Sequence, residues 1–227
     1  MKMTRLVVLA NSWKHSDWCI AGINLDTGAW VRPVSDLPDG RIPKSAMKLD
    51  GYFPQLLDVV ELPLADGGPD YGFEKENRSL LPGAWQRHGK LSPLDLLQYA
   101  VAPGTGFHNE ATSVPLALLQ AKPFDQRDSL QLVLSDSFRA RRARCRATGE
   151  PTWQGIVRTD KGELAIRITD PVFVGMLNAG HTPERRCLLT LSLSMPYAPP
   201  EAEVEVARAC WKLIAGVVAL PPCQAGE

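Results

Sequence analysis

The densest chemical signal in this chain is a run of guanidinium groups: Arg139, Arg141, Arg142, Arg144 and Arg146 fall within one short stretch after Phe138. A guanidinium grips phosphate through two parallel hydrogen bonds and stacks on flat rings, so clustered arginine suits a nucleic-acid groove. The same cluster also suits a charged edge strand that resists pairing with another chain. A second aromatic and basic group is Trp13, Lys14, His15 and Trp18, in a loop between two apolar stretches. Its rings could stack bases or cap a core, since large aromatics are mostly buried. A third is Trp30 with Arg32, two residues apart and so on one face of a strand. They could line a base-binding sheet or form a tryptophan with an arginine lying beside it.

Catalytic signals are weak. His15, His88, His108 and His181 are scattered, and neither His108-Asn109-Glu110 nor any cysteine or serine nearby has the spacing of a triad. Nucleophile elbow, phosphate-binding loop, dinucleotide fingerprint and zinc-protease motif are all missing. Glu74, Glu76 and Asn77 with Arg78 read as a polar surface loop rather than a ligand set. No catalytic residue, no metal site and no cofactor are expected. Five scattered cysteines without a C-x-x-C pair read as reduced thiols. The apolar run near the start is cut off by Asn11 to His15, which argues against a leader, and nothing approaches the length of a membrane span. The expected compartment is the cytoplasm, with no membrane partner. Lys+Arg and Asp+Glu both total 25, so any anionic partner must be held by a local patch.

The elements that must position these groups are mainly strands. Nineteen prolines and eighteen glycines favour many turns over long helices. Strands are expected over Arg5 to Ala10, Cys19 to Leu25, Trp30 to Val34 and Leu56 to Leu62, with Pro33 marking its strand as an edge or an end. Residues 63 to 128 read as a long excursion, with a helix starting at Ser92-Pro93 and an ambiguous segment from Val114 to Ala121. From Ser129 the rhythm becomes regular. A strand with Leu130, Leu132 and Leu134 precedes a hairpin turning at 159 to 162, then a short helix after Asp170-Pro171, then two strands over Leu188 to Leu193 and Ala209 to Ala219. That order is the order of an OB-type barrel, five strands with a helix between the third and fourth. No repeat is visible residue by residue.

Two segments carry a family resemblance. LVVLANSWKHSDWCIAGINLDTGAWVRPVS (residues 6 to 35) resembles the opening of the prokaryotic dual OB-containing domain family, and LTLSLSMPY (189 to 197) with CWKLIAGVV (210 to 218) resembles its closing strands. The resemblance implies a mainly β fold of two OB-like five-stranded barrels with short helices and a long inserted connection. The first barrel would take residues 1–128, with its excursion over about 63–128, the second 129–220, and 221–227 would be a flexible tail. It also implies a nucleic-acid-sensing or binding role linked to antiviral defence. Nucleic acid, single-stranded or RNA, is therefore the expected partner, with Arg139, Arg141, Arg142, Arg144, Arg146, Arg32, Lys14, Trp13 and Trp30 as contacts. A genomically linked protein partner is the alternative, favoured by zero net charge. A ligand or enzymatic site at the barrel junction, around His108, Glu110 or Glu74, is the third.

Overall fold

A computed structural model describes residues 3–14, 17–47, 49, 51–104, 107–145, 148–198 and 208–221. Apolar runs rich in Val, Leu and Ile supply the central strands of two sheets, and these residues are almost wholly buried. The first sheet is built from β1 (Met3–Lys14), β2 (Asp17–Asn24), β3 (Trp30–Val34), β4 (Asp58–Pro63), β5 (Asn77–Ser79) and β6 (Gln86–Lys90), in the order β5-β3-β2-β1-β4-β6. The second follows from β7 (Ser113–Pro115), β8 (Leu130–Ser135), β9 (Arg139–Arg144), β10 (Pro151–Thr159), β11 (Gly162–Ile168), β12 (Cys187–Leu193) and β13 (Ala209–Ala219). Its order is β8-β12-β13-β11-β10-β9, with β7 added against β13. Helices are short: α1 (Leu116–Gln120), α2 (Pro171–Asn178) and three 3-10 turns, among them Pro93–Tyr99 capped by the Ser92 hydroxyl.

The two sheets repeat one connectivity that the residues themselves do not show. In each, antiparallel hairpins (β1-β2-β3 and β9-β10-β11) lead to a strand that pairs in parallel with a later strand of the same unit, β3 with β5 and β11 with β13. The opening strand also pairs with the fourth, β1 with β4 and β8 with β12. In the second unit the opening strand is split in two, since β8 and β9 are consecutive and separated only by residues 136 to 138. Neither sheet is a fully closed ladder. In the first, a bridge between Leu64 and Leu80 brings β5 back to the end of β4, with Leu81 N donating to Pro63 O at 3.0 Å. This is the mainly β, two-unit architecture the sequence implies.

Several local readings change. Pro33 does not mark an edge, because β3 has β2 on one side and β5 on the other. Arg32 N bonds Glu76 O and Val34 O accepts from Leu80 N, so Pro33, lying between them, points its missing N–H the other way, beyond the end of the β2 pairing. The ambiguous segment after residue 113 is both a strand and a helix, β7 followed at once by α1. Within the excursion, β5 and β6 complete the first sheet, whereas β7 joins the second.

The sheets meet through their opening and closing strands. A bulge in β1 at Leu9 faces one in β13 at Ala215. The Leu9 carbonyl, freed from its ladder, accepts the buried Thr190 hydroxyl at 2.6 Å. A Cβ on Gly216 would lie 2.1 Å from that same oxygen, so only glycine permits the approach. Around it Val7, Leu9 and Ile23 pack with Leu132, Leu188 and Val218, and Ala10 and Ala21 with Leu130 and Ala215. Each large aliphatic side chain so buried contributes about 1.5–3 kcal/mol.

Candidate nucleic-acid interface

The described arginines of the cluster form β9, the edge of the second sheet, and Arg139, Arg141, Arg142 and Arg144 are all exposed. Strand alternation divides them, Arg139 and Arg141 on one face, Arg142 and Arg144 on the other. On the first face Arg139 meets Glu163 at 2.5 Å, with both side chains more than half exposed, a contact of little energetic weight. Arg141 donates to Gln154 Oε1 from Nε at 3.2 Å and from a terminal nitrogen at 3.1 Å. Gln154 lies opposite Arg141 on one side and Arg167 on the other, so a row of Arg, Gln and Arg crosses three strands.

On the second face the register sets Trp153 directly opposite Arg142. The Arg142 guanidinium stands 5.1 Å from the Trp153 ring centroid, within cation–π range. The indole N–H donates to Asn178 Oδ1 of α2 at 2.8 Å, which fixes the ring's plane. Asp170 caps that helix, accepting from Val172 N and Phe173 N at 3.0 Å, with Pro171 in the first helical turn. Between β10, β11 and α2 opens a groove of about 320 Å³, lined among others by Arg142, Trp153, Arg167, Thr169 and Asn178. The arrangement offers a flat ring with a cation on it, an amide edge, and further cations within a few residues. That equipment binds phosphates along a backbone and stacks an unpaired base.

The other expected contacts are placed differently. Arg32 is 11% exposed at its side chain and paired with Glu74, and it reaches Ser192 Oγ of β12 at 3.4 Å. Burial pulls its pKa down, but Glu74 and Glu76 outweigh that and hold it above the ordinary value, so it is a fixed cation inside the protein. Trp30 is half-buried between the two sheets, packed against the apolar clusters that hold Leu132, Leu188 and Ala215. The side chains of Trp13 and Lys14, and the whole of Arg146, lie outside the described residues.

The expected surface loop at Glu74 to Asn77 is instead interior, with Glu74, Glu76 and Asn77 each at most 6% exposed. Glu76 accepts from Ser129 N at 2.7 Å and from Ser129 Oγ at 3.0 Å, and Asn77 Nδ2 donates to Glu74 at 2.7 Å. This buried network ties the first unit to the start of the second, which is why the carboxylates of this loop are buried where an exposed loop was expected. Sequence reading missed Trp153, Arg167 and Asn178. The turn at 159 to 162 fixes Gln154 opposite Arg167 and was the one signal that pointed to Arg167.

The model for the dual OB-containing domain matches residues 4–217. The chain belongs to the dual OB-containing domain family. No curated protein and no solved structure matches it. The match starts in β1 and ends in β13, so this dual OB-containing chain has both sheets inside the family region. Among its described residues no helix is long and apolar enough to cross a membrane.

Proposed function

We propose that this chain is a nucleic-acid-binding module that takes single-stranded DNA or RNA across β9, β10 and β11 of the second unit. The observation that carries the reading is the Arg142–Trp153 stack beside a groove, with exposed arginines on both faces of the same strand. Guanidinium groups would hold successive phosphates, and the indole would stack a base that duplex pairing would hide. Zero net charge agrees with recognition of a short strand rather than general adhesion to duplex. A setting in prokaryotic antiviral defence belongs to the same proposal and rests on the family resemblance.

Fluorescently labelled oligonucleotides test it by anisotropy at low salt. The wild-type chain binds single strands, and Arg141→Glu with Arg142→Glu abolishes most of that binding. Trp153→Ala weakens it by about 1–3 kcal/mol, the usual worth of one stacked base. Absence of binding by the wild type, or indifference to the paired charge reversal, contradicts the proposal.

A second reading, a docking site for a protein partner, is favoured by α2. Val172 and Met176, one turn apart on that helix, are 53% and 39% exposed. Capture of a linked partner that Met176→Lys disrupts, with no response to oligonucleotides, would select it.

A further inference from the structure

Beside the turn of the β10–β11 hairpin, where Asp160 N donates to Gly104 O at 3.1 Å, lies a second, larger pocket of about 560 Å³, which the nucleic-acid reading does not use. Its volume falls within the range of small-molecule sites. Its apolar wall is Val101, Ala102 and Pro103, and Val101 is held against β8 by backbone bonds to Leu132 and Leu134. Its polar wall is Gln131, His108 and Lys122.

Three features of that polar wall point to an occupant. The Gln131 Oε1 is buried and has no hydrogen-bond partner among the described residues. A buried carbonyl left unpaired costs about 1–3 kcal/mol until a donor reaches it. His108 Nε2 donates to the Asp128 carbonyl at 2.6 Å and its Nδ1 lies 2.7 Å from Lys122 Nζ, which donates to it. The imidazole is thus held as one neutral tautomer, and burial keeps its pKa below the ordinary value. Lys122 lines the pocket and, among the described residues, forms no ion pair with a carboxylate, its Nζ meeting only the neutral His108 ring. Phe107 and His108 are both left-handed, with φ of 61° and 73°. Backbone strain of this kind persists where surrounding structure fixes a side chain for a purpose.

The pocket's own carboxylates limit the charge it can accept. Asp128 is paired with Lys75 at 2.6 Å, and Asp125 also lines the pocket. We propose that this pocket binds a nucleoside monophosphate, the base laid on Val101 to Pro103, its amide-like edge paired with Gln131, and its phosphate held by Lys122. Asp125 sets monophosphates ahead of triphosphates by repelling further negative charge.

Thermal unfolding of the full chain with AMP, CMP, ATP and inorganic phosphate tests this. At about 100 times its dissociation constant, a monophosphate raises the midpoint by about 5–10 °C. ATP and inorganic phosphate do so less. Lys122→Ala weakens monophosphate binding about tenfold or more, the worth of one charge-assisted bond. Gln131→Leu removes the orphan amide, so the free protein loses no stability while the ligand-induced shift disappears. Arg141→Glu with Arg142→Glu leaves the shift intact, which separates this site from the β9 surface. The proposal is overturned if no monophosphate shifts the midpoint at 10 mM (about the weakest affinity worth naming a site). It is equally overturned if inorganic phosphate matches the monophosphates or if the shift survives both pocket substitutions.

Discussion

Lys212 shows how one side chain is shaped by its surroundings. It lies on β13 at 2% exposure, with Nζ donating to Asn109 O at 2.5 Å and to Asn109 Oδ1 at 2.9 Å. Burial pulls its pKa down to about 8, and Glu110 acts weakly in the other direction. The unfolded chain holds that proton up to about pH 10.4, so between pH 8 and that value it binds more protons than the folded one. Stability therefore rises with pH across that window, and below pH 8 the buried charge is a constant cost. Lys212→Met should flatten this rise in urea unfolding followed from pH 7 to 10. Persistence of the full rise in the variant would show that Lys212 is not its source. Cys187 and Cys210 lie in the same core, and burial pushes both thiols up to about 12, so neither is a nucleophile at neutral pH.

At the scale of elements, what the sequence makes legible is whatever repeats locally. The β10–β11 hairpin is evident because Leu164, Ile166 and Ile168 alternate beside a tight turn, and α2 because Asp170-Pro171 opens it and Gly180, at φ 88°, closes it. β5 and β6 are not evident: Asn77–Ser79 is three residues long, and Gln86–Lys90 is polar throughout and mostly exposed. They are strands because neighbours distant in sequence offer ladders, which no local pattern encodes. The same reason hides part of the candidate site. The arginines are plain as a cluster, but their division between two faces, and Trp153 opposite Arg142, need the register. The Arg32–Glu74 pair joins residues that only the parallel β3–β5 pairing brings together. α2 also supplies a test of its own. Asp170, 2% exposed, caps the helix and accepts from Val217 N of β13 at 3.2 Å, tying the two elements together. Asp170→Ala should lower the unfolding free energy by about 2–4 kcal/mol, one cap plus an orphaned buried N–H. Asp170→Asn keeps an oxygen for the cap but sets an NH2 against Val217 N–H, so it should recover only the cap's share, about 0.5–2 kcal/mol, in the same urea titration. Equal losses for both would contradict the capping role.

At the scale of the molecule, two units of one connectivity are joined by a close, largely apolar contact and by a buried polar clamp. Gly216 lets β13 reach the Leu9 carbonyl, and Glu76 holds Ser129. Gly216→Val should force the sheets apart and cost about 1–3 kcal/mol or more in chemical denaturation. A neutral outcome would mean that the junction tolerates the separation. The junction leaves the second unit's β9 edge and groove exposed. In the proposed binding mode the exposed arginines there contact phosphates. Its most direct test is the dependence of single-strand affinity on salt, measured by anisotropy for the wild type and for Arg141→Glu with Arg142→Glu. Each phosphate contact contributes about 0.7 to the slope of log affinity against log salt for a single strand. The wild type should show a steep slope, and the double variant one shallower by about 1.4 or more, with weaker binding at every salt concentration. Equal slopes in the two proteins would contradict this binding mode, because Arg141 and Arg142 would then touch no phosphate.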